Sequence, residues 1–275
     1  MTSPALLLGC ALIAFSPTAS LLLAIVYRKA HLVIVVTTSA FAYLLSSLLA
    51  ASIWSILPGF LGSSPFLLIP LGVASQCILR VFFVRGYMKI ENVIHSITRR
   101  SQISDSTGSE SAMVRLELND WSCGIASGVG FGGMHAIMLY GTLLASESGN
   151  LGTLYQPSCP AIPSLLLSAI NAFLFSILDI ILMLLTFYGT RLRRTSDSTS
   201  FFPNEVNPQK SESILFLTVC FHLCAASMTA FNFMEKGCYF SLPLISLVVF
   251  VCAIFFSINS VPRFLNPNCE MEHVD

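Results

Sequence analysis

Seven apolar stretches, at about 5–27, 32–57, 65–88, 121–145, 161–189, 213–234 and 239–262, take up most of this 275-residue chain. Each is long enough to cross a bilayer, which takes roughly 20 mostly apolar residues. Only 10% of the residues are charged, against about 25% in a soluble domain, so the stretches read as spans and not as a soluble core. Hydrocarbon offers no partner to a bare backbone group, which makes each span a helix. The expected fold is all-α: a single seven-helix membrane bundle covering residues 1–275. Aromatic residues near the segment ends, Tyr27, Trp54, Tyr87, Trp121, Tyr188 and Tyr239, suit the boundary between hydrocarbon and headgroups.

Orientation follows from the basic residues. Of fourteen Lys and Arg, twelve fall on one side. Arg28 and Lys29 follow the first stretch; Arg85, Lys89, Arg99, Arg100 and Arg115 surround the break 89–120. Arg191, Arg193, Arg194 and Lys210 flank 190–212, and Arg263 begins the tail 263–275. The opposite side has Lys236 alone, and Arg80 lies inside a segment. The N-terminus is therefore expected outside and the C-terminus in the cytoplasm. The breaks 89–120 and 190–212, Ser/Thr-rich at their centres, read as flexible cytoplasmic loops. The first stretch lacks a basic leader and exceeds the usual apolar run of a signal peptide, so it is expected to stay. Formal net charge is zero, which gives no basic field for nucleic acid. Cys159 and Cys238 fall in stretches placed outside, where a disulfide between them can persist. Cys220 and Cys224 are one helical turn apart in an apolar run and read as packing residues.

Ionisable groups within spans are costly and therefore candidate functional residues. Arg80 sits one turn after Gln76, near the cytoplasmic end of its segment. It can reach the headgroups or hold carbonyls or an acidic group inside the bundle. Asp179 and His222 lie on consecutive segments at similar depth, which suggests a hydrogen bond or ion pair between them at the bundle centre; separate partners for each are the alternative. Asn171, eight residues before Asp179, extends a polar stripe on that face. His135 is expected to hydrogen-bond a neighbouring helix, with a ligand or proton-relay role as the sharper alternative.

The segment carrying His135 reads GIASGVGFGGMHA over residues 124–136. Glycine costs a helix roughly 1 kcal/mol relative to alanine, so the glycines must gain something. Gly124, Gly128 and Gly132 recur every four residues and Ala136 extends the row, giving one smooth stripe along the helix. In lipid, close backbone approach replaces hydrophobic association between helices. The stripe can serve packing within this bundle or docking of another protein; either way it speaks of assembly more than of chemistry.

Tests for chemistry find no complete set. An intramembrane aspartyl protease needs two carboxylates sharing a proton, and Asp179 is alone within the spans. The sequence around Ser127 lacks the first glycine of a rhomboid-type GxSG, which leaves Ser127 with His222 as a bare candidate dyad for a membrane serine hydrolase. HExxH is absent, which removes that zinc chemistry. A seven-span receptor of the rhodopsin type would carry DRY and NPxxY, where this chain has LRVFFVRGYM and FFSINSVPRF. A transporter would show repeats or interrupted helices. A receptor or transporter with a polar site around Asp179, His222 and His135 remains the alternative reading.

Several positions together resemble the Aph (anterior-pharynx-defective) subunits of γ-secretase, over nearly the whole chain. Gly9, Cys10, Ala14, Phe15 and Pro17 are similar to the family's opening FFGC-x-x-x-AF-x-P. The run Leu48-Leu49-Ala50-Ala51-Ser52-Ile53-Trp54 resembles its LLASSIW, and Gln76 with Arg80 its Q-x-x-x-R pair. Ser127 to Gly132 are similar to S-G-x-x-F-G, and His222, Leu223, Phe231 and Asn232 to H-L…F-x-N. Two positions depart: the family's third row glycine falls on Ala136 and its fifth-span histidine on Asp179. The resemblance implies a non-catalytic scaffold that assembles with presenilin, which supplies the catalytic aspartates, with nicastrin and with the presenilin-enhancer subunit. Such complexes cleave single-span proteins such as Notch and amyloid-precursor-type substrates. The resemblance implies no cofactor, and a multi-pass protein of endoplasmic reticulum, Golgi, plasma and endosomal membranes.

Overall fold

The computed structural model describes residues 4–27, 29–56, 65–104, 120–147, 155–198 and 208–259. The tail 263–275 and the centres of both long breaks lie outside these residues, with Arg28, Arg115 and Arg263. Seven helices are long and apolar enough to cross a membrane. Helix α1 is Pro4–Leu21 and runs on through a π-helical turn, Leu22–Val26; α2 is Ala30–Ile56 and α3 is Pro65–Ser104. Helix α4, Asp120–Ala136, continues through a second π-helical turn, Ile137–Gly141, into Thr142–Glu147. A two-stranded antiparallel hairpin, β1 (Tyr155–Gln156) and β2 (Cys159–Pro163), leads directly into α5, Ser164–Ser198. Helix α6 is Pro208–Met228, finished by a 3-10 turn at Thr229–Phe233, and α7 is Cys238–Asn259.

The helices outrun the apolar stretches. Apolarity falls after Met88, but Ile90, Val93, Ile94 and Ile97 keep helical spacing, and α3 continues through them to Ser104. At its start α5 is shorter than its apolar run, because Pro160 and Pro163 hold residues 159–163 extended.

Helix α5 is the hub. In its apolar 18-residue stretch 67% of residues are buried, against 17–44% in those of the other six. It packs on α4, α1, α6, α7 and α3. The largest cluster joins Ile125 and Val129 of α4 to Leu178, Leu182 and Leu185 of α5 and to Ile245 and Cys252 of α7. The outward faces carry Leu12, Phe41, Leu48, Phe82, Phe216 and Phe250, all well exposed, which suits lipid. Serine and threonine hydroxyls within the spans donate mostly to carbonyls one turn back, as Thr37 does to Val33 and Thr186 to Leu182, so they cost little in hydrocarbon.

Candidate polar core and glycine interface

Four helices each contribute one ionisable side chain to a single buried cluster: Arg80 from α3, His135 from α4, Asp179 from α5 and His222 from α6. Arg80, Asp179 and His222 are at most 2% exposed and His135 is 7%. Asp179 is fifteen residues into α5, about 22 Å along its axis, hence near mid-span. An isolated charge at that depth would be prohibitive. Here the charges cancel: Arg80 Nη2 donates to Asp179 Oδ1. The second carboxylate oxygen accepts from His135 Nδ1 at 2.7 Å. Arg80 Nη1 lies 3.3 Å from His222 Nδ1, which accepts its proton, and the Cys77 thiol approaches that same nitrogen at 3.8 Å. The carboxylate contact calls for a proton on Nδ1 of His135, and the guanidinium contact leaves Nδ1 of His222 as an acceptor.

Aromatic rings enclose the cluster. The Arg80 guanidinium lies over Phe131, 4.6 Å from the ring centroid, a favourable arrangement for a desolvated cation. Tyr43 of α2 stacks on His135 at 5.1 Å and meets Phe131 edge-on at 5.0 Å. Phe175 closes the other side of His135 at 5.3 Å.

The geometry decides what the sequence left open. Of the two readings of Arg80, it takes the inward one and holds an acidic group inside the bundle. Asp179 and His222 do not bond each other, because Arg80 stands between them and donates to both. Gln76, one turn before Arg80, makes no hydrogen bond to it, and its covered side-chain oxygen has no partner. Cys77 is the neighbour that faces the cluster. Asn171 lies away from it, toward the start of α5, lining an open cavity of about 430 Å³ with Ser168 and Asn232.

The glycine row faces α5. A side chain at Gly128 would put its Cβ 2.8 Å from the Ile180 Cα, and one at Gly132 would come 2.9 Å from the Ser176 carbonyl oxygen. One at Gly124 would come 2.7 Å from Leu184 Cδ2. Rising positions 124, 128 and 132 meet falling positions 184, 180 and 176, as in two antiparallel helices in backbone contact. Ser176 Oγ donates to the Gly132 carbonyl across that contact, and Ala136 packs with Ala169 and Ala172. The stripe is thus filled from within the bundle. The sequence reading missed Gly130, which points the other way: a Cβ there would fall 2.2 Å from the Val36 carbonyl oxygen of α2. It also missed Phe131 and Tyr43 as walls of the core, though Phe131 stands inside the quoted motif.

Ser127 and His222 are not brought together as a dyad. The Ser127 hydroxyl donates to the Cys123 and Gly124 carbonyls of its own helix, and His222 is engaged by Arg80. Cys220 and Cys224 are half-buried on α6. Among the described residues no group of three His, Cys, Asp or Glu side chains is placed to hold a metal ion. Beyond the core, Arg191 of α5 donates to Glu91 of α3 at 2.5 Å. At the other end, Cys159 and Cys238 form a disulfide.

Known proteins resemble this chain at the level of sequence. The family model described as Aph-1 protein matches residues 5–261. An Arabidopsis thaliana protein named "Gamma-secretase subunit APH1-like" is 28% identical over 245 residues, covering 88% of this chain and 87% of that protein.

Proposed function

Since this chain belongs to the Aph-1 family, we propose that it is the non-catalytic scaffold subunit of a γ-secretase complex. Its partners on this reading are presenilin, which brings the catalytic aspartates, nicastrin and the presenilin-enhancer subunit. The complex then cleaves single-span proteins of the Notch and amyloid-precursor type, in endoplasmic reticulum, Golgi, plasma and endosomal membranes. The observation that carries the scaffold role is how the bundle's ionisable groups are used. Asp179 is occupied by Arg80 and His135, and His222 by Arg80, so these groups lock four helices together and are spent on structure. The glycine row has the same character, because it brings α4 against α5 backbone to backbone. Helices held so firmly give larger partners a fixed lateral surface. The exposed apolar faces of the peripheral helices supply that surface.

The orientation proposed is N-terminus outside and C-terminus cytoplasmic. The split of basic residues supports it, and so does the Cys159–Cys238 bond, which persists in an oxidising compartment.

Co-purification tests the function. The tagged chain, expressed in its own cell type and extracted in mild detergent, is expected to bring down presenilin and nicastrin in equal amounts. A folded chain recovered alone would reject the scaffold reading and return attention to a small ligand near the polar core.

A further inference from the structure

The outer ends of α5 and α7 are joined in a way that neither helix packing nor the γ-secretase reading requires. The hairpin before α5 and the turn before α7 form one cap. Its covalent link is the disulfide between Cys159 and Cys238, 79 residues apart in sequence, with Cα atoms 5.5 Å apart. Two backbone hydrogen bonds reinforce it, from Lys236 N to the Pro157 carbonyl and from Cys238 N to the Ser158 carbonyl. Under the sulfurs, Leu167, Ile162 and Leu242 make a small apolar core. The turn is shaped to present Cys238. Lys236 takes the left-handed conformation at φ 57°, and Gly237 leaves no room for a Cβ, which would fall 1.7 Å from the Phe231 carbonyl oxygen. Both sulfurs are covered, at 0–1% exposure.

Two whole spans, α5 and α6, separate these cysteines in the chain. The thiols can therefore meet only after both helices have inserted and the chain has returned to the side it left. We propose that Cys159 and Cys238 form an oxidation-dependent latch, closed in the lumen of the secretory pathway once α5 and α6 are correctly inserted, that keeps the outer ends of α5 and α7 together. The inference rests on the orientation proposed above. The step is thiol–disulfide exchange with a disulfide-bearing oxidant of that compartment. One cysteine thiolate attacks the oxidant, and a thiolate leaves. The other cysteine thiolate then attacks the mixed disulfide at the first cysteine's sulfur and expels the second thiolate. The two cysteines lose two electrons and two protons, and the oxidant's disulfide is reduced to two thiols. In a chain inserted the wrong way round, both sulfurs face the reducing cytosol and the latch stays open. Because the separated state in a membrane is still a set of inserted helices, the closed bond acts by limiting how far α5 and α7 can part.

A protease site placed between residues 199 and 207, in full-length chain carried by sealed microsomes with their cytosolic face outward, tests this. Protease added outside is expected to cut the chain. The halves should then migrate together without reductant and apart with it, and a Cys159→Ser chain should part in both conditions. Halves that part without reductant would overturn the latch alone. A site cut only after detergent is added would overturn the orientation and the latch with it. As a second readout, Cys159→Ser, Cys238→Ser and the double variant should lower the thermal midpoint of the solubilised protein by one common shift. A double variant that loses the sum of the two singles would contradict a shared bond.

Discussion

At the residue scale, the energetics turn on one buried ion pair. Replacing one partner strands the other's charge in hydrocarbon, which costs about 3–5 kcal/mol in buried pairs. Asp179→Asn is therefore expected to destabilise the bundle strongly, because Arg80 is left without an anion. Replacing both partners by apolar residues removes the need for either charge. Arg80→Met with Asp179→Leu is accordingly expected to be more stable than Asp179→Asn alone, as read by thermal unfolding in detergent. A double variant carrying the sum of both losses would show that the two residues act apart. The four ionisable residues were legible in the sequence, since a charge inside an apolar run announces itself. Their wiring was not. Asp179 and His222 sit on consecutive segments and looked like a pair, but the long guanidinium of Arg80, from a helix two segments earlier, reaches in and separates them. Gln76 shares a face with Arg80 by its one-turn spacing, but that offset does not fix the direction in which each side chain extends, and its covered oxygen meets no partner.

At the scale of elements, the glycines separate two effects that share a name. Gly128 has the Ile180 backbone 2.8 Å from its missing Cβ, whereas Gly72 of α3 has nothing within 4 Å. The same substitution should therefore have opposite signs. Gly128→Ala forces α4 from α5, an overpacking cost of about 1–3 kcal/mol. Gly72→Ala meets open space and should stabilise by up to about 1 kcal/mol through helix propensity alone. Thermal midpoints of the two variants against wild type measure both, and equal shifts would mean that the α4–α5 contact does not set the helix separation. The repeat at every fourth residue was visible in the sequence, but its partner was not. A smooth stripe carries no address, and only the arrangement of the helices shows Ser176, Ile180 and Leu184 filling it. Gly130 escaped notice because it lies off the stripe, against α2. The second half of α3 was hidden for another reason: polarity rises after Met88 while the helical spacing of Ile90, Val93, Ile94 and Ile97 persists, so hydropathy ends before the helix does.

For the molecule as a whole, the fifth helix is the one most enclosed by protein and the others have a lipid face. Solvophobic burial contributes little between helices in a membrane, so the cost of truncation comes from lost packing. Leu178→Ala, at a site with no exposure, should cost about 2–5 kcal/mol through the cavity it leaves, while Leu12→Ala, at 64% exposure, should cost a small fraction of that; comparable losses in unfolding would contradict the hub arrangement. Seven spans could be read from hydropathy, but which of them is central could not, because apolarity does not track burial: α7 has the highest mean hydropathy, 2.6, whereas the enclosed α5 has 2.3. On the function proposed above, this bundle, held by its polar core and by the α4–α5 glycine contact, is the platform on which a γ-secretase assembles. The most direct test uses cells lacking the endogenous chain, complemented with wild type or with Gly128→Leu at matched membrane levels, and reads presenilin recovered with nicastrin together with cleavage of a single-span substrate. Wild type should restore both, and Gly128→Leu should restore neither despite normal insertion. Full assembly and cleavage with Gly128→Leu, or in cells with no form of the chain at all, would contradict it.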